Sequence, residues 1–265
     1  MFSYHYERGD SMSRNTKLRR DEITKMVLGE GEIKVKDLAN HFRVSMETIR
    51  KDLNYLDECG MLSKTHGGAK AINDYYWLPV DVKLQDHVEE KRCVARKALD
   101  LIEDNSVIFL DAGSTTIQLA KLLRVKKGIT VVTNSIAVAD IILESNNQVI
   151  CTGGIAQKRG KALVGYFATN VIDSIHFDAM VCGTDGFMGM KGPTTFSLEE
   201  VEIRRHVLKN TERKILITDA SKFTKTSTYQ FARFDEFDYM IINESDKVDT
   251  DAIKGVKNII IVKGD

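Results

Sequence analysis

A chain of 265 residues, 43% apolar and 29% charged, has room for a small domain beside a larger one and enough apolar material to give each a core. Its 38 basic and 38 acidic residues balance, and residues 1–72 carry only 13 Lys and Arg against 11 acids, so overall charge alone does not announce nucleic acid. Cys59, Cys93, Cys151 and Cys182 show no paired spacing, which argues against a zinc ribbon or a disulfide framework and suits a reduced cytoplasm. No apolar run approaches the roughly 18 residues that span a bilayer, and residues 1–11 lack the apolar stretch of a signal peptide. A cytoplasmic protein with no membrane partner, metal or cofactor is therefore expected. Residues 1–13 read as a disordered extension, with Met12 a candidate start.

The first helix is expected over Lys17–Leu28, packing through Ile23, Met26 and Val27 and ended by Gly29-Glu30-Gly31. Between Ile33 and Leu62 two helical patterns meet at a short corner. Val35, Leu38, Ala39 and Phe42 recur at the spacing that gathers apolar side chains on one helix face, and Ile49, Leu53 and Leu56 do the same further on. Arg43-Val44-Ser45 separates them. Ser45 can cap the second helix, and Val44 with Ile49 can form a hydrophobic staple. The pattern, over about 33–58, is that of a helix-turn-helix. It leaves Glu47, Thr48, Arg50, Lys51 and Asn54 facing outward where recognition helices reach base edges; periodicity alone would equally fit a helical hairpin with a solvated charged face. After Cys59-Gly60, Leu62–Thr65 and Ala69–Ile72 read as two strands around the turn His66-Gly67-Gly68, the wing of a winged helix.

These residues resemble the DeoR family of bacterial transcription regulators, whose DNA-binding domain carries a motif like LAxxFxVSxxTIRxDLxxLxxxGxLxxxHGGA. The match runs through Leu38-Ala39, Phe42, Val44-Ser45, Thr48-Ile49-Arg50, Asp52-Leu53, Leu56, Gly60, Leu62 and His66–Ala69. Lys51 stands where the family usually has a second Arg, and lysine lacks the planar fork that grips guanine. The expected DNA-contacting residues are Lys36, Ser45, Glu47, Thr48, Arg50, Lys51, Asn54, Lys64, His66 and Gly67. Arg14, Lys17, Arg19 and Arg20 join the basic members of that set as candidate phosphate contacts.

The DNA-binding domain is expected over 14–72 and an effector domain over 88–265. Residues 73–87, without a sustained period and with Pro79, read as the linker, where Tyr75-Tyr76-Trp77 could instead dock. A helix follows over Glu89–Ile102, with an apolar stripe broad enough for its own domain and a partner subunit. Continuous apolar runs then mark strands at Val107–Asp111, Ile129–Thr133, Gln148–Thr152, Phe177–Cys182, Lys214–Asp219, Tyr239–Ile242 and Asn258–Val262. Helical stretches are expected at Thr116–Leu123, Ile136–Glu144, Ala162–Ile175, Leu198–Lys209 and Asp251–Lys254. The alternation implies an α/β domain with a mainly parallel sheet, both faces covered.

In such sheets ligands sit at the carboxyl ends of the strands. There stand Asp111-Ala112-Gly113-Ser114-Thr115-Thr116, Thr133-Asn134-Ser135, Gly153-Gly154, Gly183-Thr184-Asp185-Gly186 and Asp219-Ala220-Ser221-Lys222. A small-residue turn entering a helix can hold an anion on its free N–H groups, although any strand-to-helix turn favours small residues and Asp111 or Asp185 could serve as loop caps. These corners extend the resemblance, since the DeoR effector domain shows a pattern like DxGSTT, TNS, GG, GxDG and DxSK. The resemblance implies a fold similar to sugar-phosphate isomerases and CoA transferases and a phosphorylated sugar as effector. It places Gly113, Ser114, Thr115 and Thr116 on the phosphate, and Asn134, Asp185 and Lys222 on sugar hydroxyls or the anion. Asp111, Thr133, Ser135, Gly153, Gly154 and Gly186 complete the expected pocket.

Two other readings compete. One is an active sugar-phosphate isomerase with a DNA-binding arm, which would need a carboxylate base and enediolate stabilisation. Isomerases with this fold carry a signature like DGADE, whereas here Asp185-Gly186 runs into Phe187-Met188. Glu199, Glu200 and Glu202 read as a solvated helix face. The other reading, a ligand-free scaffold, fits poorly with so many polar corners. The expectation is a ligand-responsive repressor acting as a symmetric homo-oligomer on operator DNA.

Overall fold

The structure, a computed structural model, describes residues 10–70 and 79–264. The chain divides between Val82 and Lys83 into two compact units. Expectations for residues 1–9, for Ala71-Ile72 and for Tyr75-Tyr76-Trp77 lie outside the described residues.

In the first unit, helix α1 (Asp10–Glu30) begins earlier than the sequence suggests, taking in positions assigned to the extension. Gly31, with φ 82°, ends it where a side chain would be strained. Strand β1 (Glu32–Lys34) follows, then α2 (Val35–Phe42) and α3 (Met46–Glu58). Strands β2 (Ser63–Lys64) and β3 (Gly68–Lys70) form the wing hairpin. The expected two strands prove to be three, in the antiparallel order β1-β3-β2. A strand of three residues is too short to carry a readable alternation, which is why β1 escapes sequence reasoning. The core collects Ile23 and Val27 of α1, Leu38 and Ala39 of α2, Ile49, Leu53 and Leu56 of α3, and Ile33, Leu62 and Ala69 from the strands and their approaches.

A helical turn, α4 (Val80–Lys83), spans the point of division, so part of the expected linker is regular structure with Val80 and Val82 buried. The second unit continues with α5 (Val88–Asp100), β4 (Val107–Leu110), α6 (Ser114–Leu122), β5 (Thr130–Thr133), α7 (Ile136–Leu143) and β6 (Gln148–Cys151). Next come β7 (Ile155–Gln157), β8 (Ala162–Val164), α8 (Tyr166–Asp173), β9 (Phe177–Cys182), β10 (Thr194–Thr195) and α9 (Leu198–Lys209). The chain closes with β11 (Thr211–Thr218), β12 (Tyr229–Gln230), β13 (Tyr239–Asn243) and β14 (Asn258–Val262). The single helix expected over Ala162–Ile175 is instead β8, paired antiparallel with β7, followed by α8. The last expected helix is a short 3₁₀ turn, Asp251–Ile253.

The seven anticipated strands form one sheet in the order β14-β13-β11-β9-β4-β5-β6, and every pairing in it is parallel. Phe109, Val132, Phe177, Met180, Leu216 and Ile242 of these strands are at or near zero exposure, as expected of strands covered on both faces. From β4 the chain winds outward through β5 to β6, then crosses back to β9 and winds the other way to β14. Right-handed crossovers in opposite directions put α6 and α7 on one face and α9 on the other. The winding reverses between β4 and β9, and the carboxyl ends of these two strands therefore mark the topological switch point, where sheets of this kind hold ligands in a crevice.

Candidate functional site

The surface of the first unit that is expected to face DNA is built by capping. Arg43, in the left-handed region at φ 53°, ends α2, and the Val44 N–H closes the corner on the Ala39 carbonyl at 3.1 Å. Ser45 accepts from the Thr48 N–H at 3.1 Å and its hydroxyl meets that of Thr48 at 2.9 Å, fixing where α3 starts. Ile49, Leu53 and Leu56 turn inward, while Glu47, Arg50, Lys51 and Asn54 are exposed, together with Lys36, Lys64, His66 and Gly67. Arg50 lies 3.8 Å from Glu47. The wing reaches the helix directly: Lys64 Nζ donates to Asn54 Oδ1 at 2.6 Å.

Two of the expected phosphate contacts are also engaged within the protein. Arg19 and Arg20 both donate through Nε to Asp52, at 2.7 and 2.8 Å, and Asp52 is only 2% exposed. The Arg20 guanidinium also lies 3.8 Å above the Tyr55 ring. Arg14 and Lys17 have side chains outside the described residues. Asp52 enters the sequence reading only as part of the family motif, and Tyr55 not at all. The signal for Asp52 is an acid among the inward positions Ile49, Leu53 and Leu56, a place where a carboxylate must find cations.

In the second unit a chain of polar contacts spans the crevice at the switch point. Asp111, at the end of β4 and 1% exposed, accepts from Arg204 Nε at 2.8 Å. Arg204 Nη2 lies 3.2 Å from Glu200, and the guanidinium sits 4.7 Å over the Phe231 ring. Thr195 Oγ1 stands 2.7 Å from Glu200 and 3.2 Å from Asp185, which in turn accepts from Lys83 Nζ at 2.6 Å. Burial pushes the Asp111 and Glu200 carboxyls up, against the pull of Arg204. Burial also opposes the charge on Asp185, but Lys83 overrides it and holds that carboxyl below the usual range. With one hydroxyl proton for two carboxylates, Thr195 can serve both if Glu200 carries a proton of its own.

Next to this chain, at the end of β11, lies a basic group. Lys91 on α5 is 2% exposed and donates to the carbonyls of Lys83 and Asp86 at 2.6 and 2.5 Å. Burial pushes it down to about 8, partly offset by Asp219 and reinforced by Lys222. Burial, together with Lys222, brings Lys225 to about 8 as well. Asp219 caps the following turn through the Ser221 N–H, and Lys222 and Lys91 overcome its burial to keep it ionised. Several buried polar atoms around these loops have no protein partner: Arg204 Nη1, Asn134 Nδ2, Asp219 Oδ2, Ser221 Oγ, Thr226 Oγ1 and Ser227 Oγ. Buried donors and acceptors of this kind call for a water or a ligand.

The expected pocket residues divide accordingly. Asn134, whose Oδ1 accepts from the Ala112 N–H at 3.1 Å, joins β4 to β5 and keeps its Nδ2 free. Asp185 and Lys222 interact with the lysines just described. Gly113, Ser114 and Thr115 open α6, Ser114 and Thr115 being 9% and 8% exposed. Others are engaged within the protein itself. Thr116 is fully buried and its hydroxyl is held by the carbonyls of Asp111 and Gly113 at 2.7 and 2.9 Å. The Thr133 hydroxyl donates to the Leu110 carbonyl at 2.6 Å, and Ser135 caps α7 through the Val138 N–H. Asp111 is occupied by Arg204. Gly153 and Gly154 start the β7–β8 hairpin at φ 70° and 110°, and Gly186 takes φ 156° where a Cβ would stand 2.3 Å from the Lys225 carbonyl.

Sequence reasoning passed over Lys83, Lys91, Thr195, Glu200, Arg204 and Lys225. Glu200 is the sharpest miss, expected on a solvated face and found only 16% exposed against Arg204. Lys91 was detectable, because it precedes Val94 and Ala95 by three and four residues and so falls on the inward stripe of α5. Thr195 and Lys225 lie on segments with no periodic pattern to place them.

The structural findings agree with relationships in sequence. The HTH-type transcriptional regulator GolR of Listeria innocua is 32% identical over 225 residues, 84% of this chain and 89% of the relative. The lactose phosphotransferase system repressor of Staphylococcus epidermidis is 29% identical over 247 residues, 91% of this chain and 98% of its own. Likeness to solved structures is more distant. A ribose-5-phosphate isomerase in complex with phospho-erythronic acid aligns over 51% of this chain and 53% of its own, at 21% identity and a TM-score of 0.39. The model of the DeoR-like helix-turn-helix domain matches residues 19–74 and that of the DeoR C terminal sensor domain matches residues 86–244, and the chain therefore belongs to the DeoR family of transcription regulators.

Proposed function

We propose that this regulator is a cytoplasmic repressor of genes for carbohydrate use, that it holds operator DNA as a symmetric homo-oligomer, and that a phosphorylated sugar in the switch-point crevice releases it. The observation that carries this reading is the basic group at the end of β11. Lys91 and Lys225 are held near a pKa of 8 beside Lys222, and the buried hydroxyls of Ser221, Thr226 and Ser227 in the same loop lack partners. Such a site is costly to keep empty and suits a ligand with one doubly charged end and several hydroxyls. The anion is assigned to Lys83, Lys91, Lys222 and Lys225, with the N–H groups at the start of α6 as a further donor set, and the hydroxyls to Asn134 and Asp185. The relative named as a lactose phosphotransferase system repressor supports the same class of effector.

The sensor domain is proposed to bind without turnover. Met188 and Gly189 stand where the isomerase signature has its two later acids, and Phe187 before them packs edge-on against Phe223 and Phe234 at 4.8 and 5.4 Å. Asp111 and Glu200 are engaged by Arg204, which leaves neither poised as a general base. Thermal-shift measurement on the full chain tests both parts, using hexose, pentose and triose phosphates, the matching free sugars and inorganic phosphate. One class of sugar phosphate should raise the midpoint by mass action, the free sugars should not, and no aldose–ketose interconversion should follow. A shift with free sugars alone, or detectable interconversion, would reverse the assignment.

A further inference from the structure

We infer that Arg19, Arg20 and Tyr55, oriented by Asp52, form a second clamp on the DNA backbone along the flank of the recognition helix away from Arg50. The inference rests on the DNA-binding reading of α3 and deepens it. Asp52 lies among the inward positions of α3, 2% exposed, and a buried carboxylate there needs one cation to balance it. It has two, Arg19 and Arg20, each bonded through its Nε–H. Two guanidinium groups on one carboxylate leave one positive charge in excess, and bringing like charges together is unfavourable until an anion joins them.

The geometry says where that anion would come from. Each bond to Asp52 is made by the Nε–H of the guanidinium, which does not call on its Nη groups. The two side chains are 17% and 24% exposed, so they reach the surface. Arg20 is further oriented by lying 3.8 Å over the Tyr55 ring, itself 46% exposed. At about 100° per residue, Glu47, Lys51, Asn54 and Glu58 form the central outward strip of α3. Tyr55 and Asp52 fall to one side of that strip and Arg50 to the other. A helix lying in the major groove turns one flank to each phosphate backbone. Arg50 serves one wall, and the paired arginines offer planar forks to a phosphate on the other. Asp52 and Tyr55 are positioning residues, since they act through the arginines.

Phosphate contacts do not depend on sequence, so a mixed-sequence duplex suffices as the probe. Fluorescence anisotropy of full-length protein across a salt series gives the slope of log affinity against log salt, to which each phosphate contact contributes about 0.9. Arg19→Gln and Arg20→Gln, made singly so that Asp52 keeps one cation, should each lower the slope by about that amount. Arg233→Gln, at an exposed arginine of the sensor unit paired with Asp235, should leave it unchanged. Circular dichroism melts run alongside. A lower midpoint with an unchanged slope would mean the pair only braces α1 against α3, and unchanged slopes in both variants would likewise overturn the clamp. If the wild-type chain bound no duplex at low salt, the DNA-binding reading itself would fail, which separates the two claims.

Discussion

Lys91 shows how one side chain can serve both stability and ligand binding. Its drop from 10.5 to about 8 corresponds to roughly 3 kcal/mol of disfavoured burial of the ammonium, at about 1.4 kcal/mol per pH unit. Against that stand two bonds to backbone carbonyls, each about 1–3 kcal/mol to leave unmade. The terms are similar, so Lys91→Met should change the melting midpoint little while removing most of the affinity for a sugar phosphate. The same numbers give a pH dependence. Between about 8 and 10.5 the unfolded chain binds the proton that the folded chain has released, so this group adds stability as pH rises through that window, and its burial penalty is fully present below it. Anion binding runs the opposite way. A phosphate ester is already close to fully charged above pH 7, its second pKa being about 6, whereas Lys91 and Lys225 discharge near 8. Calorimetry with the sugar phosphate that shifts the midpoint should show affinity falling from pH 7 to 9, with proton uptake on binding near 8. An affinity that is flat or rising over that range would remove these lysines from the site.

At the scale of elements, the wing offers a contrast between adjacent glycines. A Cβ on Gly68 would stand 2.1 Å from the Ile33 carbonyl oxygen, because β3 pairs with β1 at that point, whereas a Cβ on Gly67 would meet nothing within 4 Å. Gly68→Ala should therefore separate β3 from β1 at a cost of about 1–3 kcal/mol, the range for forced overpacking, and weaken duplex binding. Gly67→Ala should fold and bind nearly as wild type. Hydrogen exchange of the amides of β1 and β3 checks both, and equal protection in the two variants would remove the steric argument. The same pairing marks what the sequence could carry. The seven sheet strands and the helix pair α2–α3 were legible because each depends on a local pattern, apolar runs for the strands and a helical period for the pair, with Ser45, Gly31 and Gly60 as punctuation. Strand β8 was not, because Ala162–Val164 is held by remote partners: its Leu163 N–H bonds the Asn134 carbonyl, and the turn into α8 needs Gly165 at φ 88°. The site divides in the same way. Corners at strand ends announce themselves by glycine and hydroxyl content, but Arg204 meets Asp111 across 93 residues of sequence, and no spacing rule connects them.

For the whole molecule, regulation requires that the sensor and DNA-binding units exchange free energy. An effector releases DNA only if it binds the DNA-free arrangement more tightly, and a tenfold loss of operator affinity corresponds to about 1.4 kcal/mol of such preference. In a symmetric oligomer both half-sites respond, and operator repeats should recur at whole helical turns, about 10.5 base pairs apart or multiples of that. Linkage makes the coupling reciprocal. If saturating sugar phosphate weakens operator binding by some factor, saturating operator must weaken sugar phosphate binding by the same factor, whatever path connects the units. The two dissociation constants can be measured independently, the first by anisotropy of labelled operator with and without effector, the second by calorimetry of effector with and without unlabelled operator. Equal factors are expected, and the Lys91→Met variant should lose both together while still binding DNA. An effector that binds the free protein tightly but leaves operator affinity unchanged would show that the crevice is a ligand site uncoupled from repression, and the release mechanism would fall while the DNA-binding assignment stood.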